Sequence, residues 1–522
     1  MQHLLEPTPE PAHYTFDDLT TLAAAQAAPQ SFVHGLPNRC VLDEIQRIPE
    51  LFVSLKQEVD RRRIPGRFLI TGSANVLLLP NLSDSLAGRM DPRTLWPLSQ
   101  GEILGRSESF VDWVFSDENM PILPQKEFAE SALIESVLLG GYPEALSRSN
   151  EDSRNAWFKA YLNTILQRDV RDLSNIEQLT ALPDLLSVIA SRPAAQLNAS
   201  ELGRSLKLPN TTLRRYLALL ETVFLVNSLR AWSSNLSKRL VKAPKLILSD
   251  TGLLCHLLNA NAQTFSQNRT LFGGILENFV AMEILKQLGW STVRANLYHF
   301  RTLNGQEVDL LLESPDGRVV GIEIKSASDV KADAFKGLKV LKDEIGKRFF
   351  RGIVLYTGSK TVNFGQDLLA MPVSSLWNIQ SLIRGFSVSG FRLGMSESDI
   401  MMQVKRLNLP QPKNKQVSRP NLVKILAFAP MTLIEEIEWA PEFFLLNKEG
   451  EFRVYSAQGR LSNSNSTAVH AVFTNHFGPA NSRDKLGFRW LWGGSTLWLG
   501  EDDHVSFFHD ELNQDWHRAS ST

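Results

Sequence analysis

Two carboxylates placed directly after a short apolar run can hold and use the magnesium of a nucleotide, and Cys40-Val41-Leu42-Asp43-Glu44 is such a run. An Asp at the carboxyl end of a buried strand can hold Mg²⁺ beside phosphates, and the next carboxylate can orient or polarise the attacking water. The same pair also suits a helix N-terminus, where negative charge complements the dipole. The run Phe68-Leu69-Ile70-Thr71-Gly72 continues into Ser73 and Asn75, polar groups able to contact a γ-phosphate or its water. Arg89, after the small-residue turn Ala87-Gly88, could reach a phosphate in cis or in trans, or form a surface ion pair.

A second carboxylate set lies downstream. Gly305-Gln306-Glu307-Val308-Asp309 opens one apolar run, and Gly321-Ile322-Glu323-Ile324-Lys325 lies on the next. Alternate residues of a strand share a face, so Glu323 and Lys325 point the same way. Asp309 precedes Glu323 by 14 residues, which permits a hairpin that brings the two carboxylates together. Two carboxylates and a lysine on adjacent strands can hold Mg²⁺ and activate water against a phosphodiester. Glu277, on the preceding helical stretch, could complete the set, although E-x-K is also common on strands that do no chemistry. His256 and His299 have no ligand-like spacing with other donors and are expected to bind no metal.

A third set is cationic. Asn198–Pro209 leads into Asn210-Thr211-Thr212-Leu213-Arg214-Arg215-Tyr216, read as helix, turn, helix with Asn210 as N-cap. Val223–Leu229, the polar tip Ser233-Ser234-Asn235 and Lys245–Leu248 could then form the β-hairpin wing of a winged helix. Across 201–245 nine basic residues, Lys245 among them, face only Glu201 and Glu221. On DNA, Thr211, Thr212, Arg214 and Arg215 would turn to the groove, and Lys238 and Arg239 to phosphates. Winged helices also serve as protein-interaction modules, and a basic face can be merely solvated.

The elements that must position these groups follow from hydrophobic period. Runs 40–42 and 68–70 flank the helical pattern of Leu51, Phe52, Leu55 and Val59, a strand-helix-strand unit of a parallel sheet. Residues 125–225 carry a helical period, and 265–385 read as a helix followed by strands at 308–312, 319–324 and 353–356. Residues 1–13, with three prolines, are expected to be an irregular lead-in, and 386–425, with Pro410, Pro412 and Pro420, a basic linker. The tail from 426 has short apolar runs, turn signals and five tryptophans, the marks of a small β-rich domain with an aromatic core.

The 522 residues forecast about three to five domains. With 43% hydrophobic and 21% charged residues the chain is neither disordered nor fibrous. Its 55 basic and 56 acidic residues nearly cancel, so any DNA binding must come from local patches. Two distant cysteines, Cys40 and Cys255, fit a reducing compartment, and no run reaches the length of a membrane span or has the form of a signal peptide. The expectation is a cytoplasmic protein without a membrane partner.

Several segments resemble the prokaryotic AAA-type ATPases whose carboxyl half is an uncharacterised, nuclease-like region. They are Leu42–Glu50, Thr71–Asn75, Ser85–Arg89, Leu95–Glu102, Gly140–Glu144, Gln167–Val170, Arg239–Lys245 and Ser249–Leu253, so that the likeness spans about 14–380. It implies ATP and Mg²⁺ as cofactors, Asp43 as the Mg²⁺ residue, Glu44 as the catalytic carboxylate, Ser73 or Asn75 as sensor and a possible homo-oligomer. It also requires a loop G-x-x-x-x-G-K-[ST], which the 522 residues lack; the only Gly-Lys pair, Gly346-Lys347, is followed by Arg348. By this likeness Met1 falls inside the helix after the loop, and the chain is expected to be N-terminally truncated and not to hydrolyse ATP.

The pattern Asp309…Glu323-x-Lys325 resembles the restriction-endonuclease-like fold. The expected architecture is therefore α/β multidomain. It comprises a truncated P-loop NTPase-like sheet (1–112), a helical linker (125–180), a winged helix (181–260), a restriction-endonuclease-like domain (265–385), a linker (386–425) and a β-rich tail (426–522). The alternatives in function are a Mg²⁺-dependent nuclease and a non-enzymatic DNA or protein adaptor.

Overall fold

The computed structural model describes residues 11–75, 88–116, 130–170, 181–233, 243–302, 304–365 and 367–379, and the backbone of nine strands between 413 and 509. Two compact units are present: residues 1–100, 128–290 and 294–373 in one, and 101–127, 291–293 and 374–522 in the other.

The first unit opens with three parallel strands, β1 (Ala12–Thr15), β2 (Cys40–Asp43) and β3 (Phe68–Ile70), in that spatial order. β2 is the central strand, and its Cys40, Val41 and Leu42 are buried. β1 starts within the stretch expected to be irregular: once Pro11 is passed, Ala12 to Thr15 pair with Cys40 to Asp43. The amphipathic helix Leu51–Arg61 covers the sheet, packing Leu51, Phe52 and Leu55 beside Phe16, Leu42 and Ile45. β3 lies at the sheet edge, and Leu69 is 37% exposed there.

A buried ion pair fixes this helix. Arg67 Nη1 donates to Glu58 Oε1 at 2.7 Å, Nη2 donates to the Leu36 carbonyl at 3.3 Å, and the guanidinium lies over the Phe68 ring.

The middle of the unit is helical, at Glu130–Leu139, Glu151–Thr164 and Leu182–Ala190. Helix Ala199–Leu206 ends at Lys207, in the left-handed conformation, and after a short turn helix Asn210–Thr222 follows. Asn198 caps the first helix; the N-cap of the second is Pro209, so Asn210 is its first residue and not the expected cap. Strands β4 (Val226–Leu229) and β5 (Lys245–Leu248) pair antiparallel.

Three of the segments that carry the family likeness meet in one packing node. Asp250 accepts hydrogen bonds from Gly141 N at 2.7 Å and Leu253 N at 2.9 Å, and Leu98 N donates to Gly141 O at 2.8 Å. Gly140 has φ +68° with Asp250 against it, and a Cβ on Gly141 would lie 2.1 Å from Leu98 O. Those glycines serve close backbone approach.

A second sheet follows, in the order β10-β11-β9-β8-β7-β6, from β6 (Asn296–Arg301), β7 (Glu307–Glu313), β8 (Val319–Lys325), β9 (Phe349–Tyr356), β10 (Val362–Asn363) and β11 (Leu368–Pro372). β8, β9 and β11 run parallel, while β6, β7 and β8 form an antiparallel meander. Helix Lys336–Ile345 puts Leu338 and Leu341 into the core with Val308, Leu311 and Val354, and helix Arg269–Leu288 packs on β5 and β8.

In the second unit, β12 (Lys413–Gln416) to β20 (His504–His509) form one antiparallel sheet. Strand backbone thus runs through the segment expected to be a β-rich tail; the expected aromatic core falls on side chains outside the described residues. The expected linker is corrected at its carboxyl end, because Lys413–Gln416 pairs with Val423–Ala427 and that strand pairs with Ile437–Lys448. Main-chain pairing overrides the proline signal there.

Glu58→Ala would leave Arg67 buried without its counter-charge, and should cost about 3–5 kcal/mol. Urea denaturation of the variant checks this, and an unchanged midpoint would refute it.

Candidate functional site

The first candidate site sits where β2 and β3 end. Thr71 N donates to Leu42 O at 2.9 Å and Ile45 N to Thr71 O at 3.1 Å, which holds the two strand ends in register. Asp43 is half-buried and its Oδ1 accepts a hydrogen bond from the Thr71 hydroxyl. Glu44 has φ +59°, a left-handed conformation that is uncommon outside glycine and is characteristic of strained functional positions. Gln46 Nε2 donates to Glu44 Oε2 and, at 2.9 Å, to Ser73 Oγ. Gln46 and Thr71 were not singled out from sequence, although Gln46 lies only two residues beyond Glu44.

Ser73 is therefore tied to Glu44 through Gln46. Asn75 N donates to Thr222 O at 2.7 Å, and Asn75 lines a cleft of about 530 Å³ with Trp96, Phe224, Asn227 and Tyr298. Arg89 grips Asp60 with both Nε at 2.6 Å and Nη2 at 2.9 Å.

The donor set around Asp43 is all hard oxygen and suits Mg²⁺, which commonly takes one or two carboxylates and completes its shell with substrate phosphates and water. Asp43, oriented by Thr71, is the residue that would hold the ion, and the ion would neutralise phosphate charge.

The second candidate site is a buried cluster of opposite charges. Lys245, at the head of β5, has a side chain only 3% exposed, and its Nζ lies 2.6 Å from Glu277 Oε1, 2.7 Å from Glu307 Oε1 and 3.9 Å from Asp309 Oδ1. Asp309 Oδ2 accepts from Ile324 N at 2.8 Å, and Lys325 Nζ donates to Glu323 Oε2 at 3.0 Å. β7 and β8 pair with Leu310 opposite Ile322, which sets Asp309 beside Glu323. Asp309, Glu323, Lys325 and Glu277 thus come together as their spacing predicts.

Burial, and next the charge of Asp309, push Glu277 up to about 8 against the pull of Lys245. Burial and Asp309 likewise push Glu323 up to about 8, partly opposed by Lys325. Burial alone would lower the Lys245 ammonium, but Glu277, Asp309 and Glu307 more than offset it and hold Lys245 above the usual lysine range.

Lys245 is the residue that sequence reasoning misplaced. It was counted among the nine basic residues of 201–245, and the structure buries it among carboxylates; a lysine opening the fully apolar run Leu246-Ile247-Leu248 was the available signal. Lys245 bonds Glu277 and Glu307 and Lys325 bonds Glu323, so ammonium groups already face three of the four carboxylates from which the divalent ion implied by the Asp309…Glu323-x-Lys325 pattern would draw its ligands. Among the described residues no three or more His, Cys, Asp or Glu are arranged to hold a metal.

The cationic set divides. Thr211, Arg214 and Arg215 are exposed along helix Asn210–Thr222, with Thr212 partly so and Leu213, Tyr216 and Leu217 buried. Lys238 and Arg239 lie outside the described residues.

A parallel sheet whose central strand ends in Asp-Glu, beside a strand running into Thr-Gly-Ser, is an arrangement of AAA-type domains, and residues 1–104 match the family described as AAA domain. Residues 130–264 and 272–376 match two families described as Domain of unknown function, DUF8612 and DUF4143. The three matches support an AAA-type protein with carboxyl-terminal domains of unknown function.

Uncharacterized proteins of Mycobacterium bovis and Mycobacterium tuberculosis are each 34% identical over 316 residues, 60% of this chain and 65% of theirs. An uncharacterized protein of Methanocaldococcus jannaschii is 26% identical over 330 residues, covering 57% of this chain and 70% of its own. The chain thus spans just under two thirds of the length of the mycobacterial relatives. Among the described residues no helix is long and apolar enough to cross a membrane.

Folded-state values raised to about 8 at Glu277 and Glu323 mean that their stabilising contribution is complete below about 4.5 and is lost as pH rises through 8. Glu307 is lowered by Lys245 despite burial, so its contribution has the opposite sign and fades only in acid. The melting temperature should therefore fall between pH 5 and 9, and fall less in Glu277→Gln. Melting curves across that range test this; a rise with pH would contradict it.

Proposed function

We propose that this chain is an AAA-type, DNA-associated protein whose 522 residues supply the carboxylates of a nucleotide site without the loop that cradles phosphates, so that by themselves they do not turn over ATP. The observation that carries the reading is the convergence of Asp43, Glu44, Thr71 and Ser73 at the ends of two parallel strands, where α/β sheets place their ligands. In this reading Asp43 holds Mg²⁺ when nucleotide is present, Thr71 fixes its rotamer, and Gln46 holds Glu44 toward Ser73, in position to orient water. The phosphate cradle has no counterpart, since G-x-x-x-x-G-K-[ST] is absent from the sequence.

DNA association rests on the helix-turn-helix and the strand pair behind it, read as a winged helix. Thr211, Arg214 and Arg215 are presented outward on the second helix, as groove contacts require. The restriction-endonuclease-like reading of the second sheet draws support from the convergence of Asp309, Glu323 and Lys325. Lys245 in the same cluster favours binding without cleavage over a Mg²⁺-dependent nuclease.

The purified chain should show no Mg²⁺-dependent phosphate release from ATP; hydrolysis abolished by Glu44→Gln would overturn the proposal. Fluorescence anisotropy on duplex DNA should show affinity falling steeply with salt, and Lys238→Ala with Arg239→Ala, the expected phosphate contacts, should reduce the log–log salt slope by about 1 per lost phosphate contact. A salt-independent affinity would refute DNA association.

A further inference from the structure

We propose that Lys245 is the resident counter-ion of the Glu277–Glu307–Asp309 cluster, standing where a divalent cation would stand and closing the cluster to Mg²⁺ and Mn²⁺. The proposal goes beyond the nucleotide and DNA reading and stands without it.

The ammonium competes with a metal for the same oxygens. Mg²⁺ requires oxygens at about 2.0–2.1 Å in near-octahedral array. The ammonium lies 2.6 Å from Glu277 Oε1 and 2.7 Å from Glu307 Oε1, with Asp309 Oδ1 at 3.9 Å. The other Asp309 oxygen accepts from Ile324 N at 2.8 Å, and Glu323 Oε2 accepts from Lys325 at 3.0 Å. One oxygen of each of these carboxylates thus already faces a protein donor.

Lys245 cannot easily withdraw. Its backbone is paired on two sides, with Leu229 across the β4–β5 pair and with Gln196 in an antiparallel bridge, and Leu246 N donates to Ala195 O at 3.1 Å. Moving the side chain out would strand buried carboxylates without a cation. One ammonium therefore does two things: it neutralises the cluster, and it ties the β4–β5 pair to helix Arg269–Leu288 and to β7.

The test is calorimetric titration of the full chain with MnCl₂, with bound Mn²⁺ followed by electron paramagnetic resonance. Wild type should show no saturable site that is lost in Asp309→Asn. Lys245→Met should gain at least about tenfold in Mn²⁺ affinity, the factor given by 1.4 kcal/mol of removed repulsion. Should that variant fail to fold, Lys245→Met with Glu277→Gln removes one charge of each sign and should still gain Mn²⁺ binding. A stoichiometric wild-type site abolished by Asp309→Asn overturns the proposal, as do folded variants that bind Mn²⁺ no better than wild type.

Discussion

The burial of a single ammonium among carboxylates constrains much of the first unit. Lys245, Glu277 and Glu307 are far apart in sequence and meet within 2.7 Å in space. Removing one member of such a set exposes the full desolvation cost of the others, which is why a buried pair is far more expensive to break than a surface one. The cluster fixes how the strand pair behind the helix-turn-helix docks on the long helix and the second sheet. It also accounts for the carboxyl groups carried up to about 8, since burial disfavours their charged form and the neighbouring Asp309 adds to it.

The two candidate sites solve opposite problems. At the ends of β2 and β3 the polar groups are partly exposed and bonded mainly to one another, so they are organised and still accessible. In the second cluster Lys245 and Glu323 are buried, the other carboxylates are partly so, and lysines bond three of the four. Accessibility favours ligand chemistry at the first, and internal charge pairing favours a structural joint at the second. The segments that bear the family likeness divide in the same way: Asp43-Glu44 forms a site, whereas Gly140-Gly141, Asp250 and Leu98 form a packing node.

What was legible in the sequence was what period and short-range spacing encode. Buried runs such as Val41-Leu42 and Leu310–Leu312 became strands, the 14-residue interval brought Asp309 and Glu323 together, and the exposed face of helix Asn210–Thr222 carries the expected threonine and arginines. β1 and the strands at 413–416 and 423–427 were missed because their formation depends on partners elsewhere in the chain, while the local signal was proline. Lys245 was misplaced for the same reason, since its charge count is local and its partners lie 32 and more residues away.

Which cation occupies the carboxylate cluster is read directly by anomalous diffraction from crystals of the full chain grown in MnCl₂. Lys245 Nζ is expected in density between Glu277 and Glu307, with no anomalous peak among Glu277, Asp309 and Glu323. A manganese peak there, with Lys245 displaced, would contradict it.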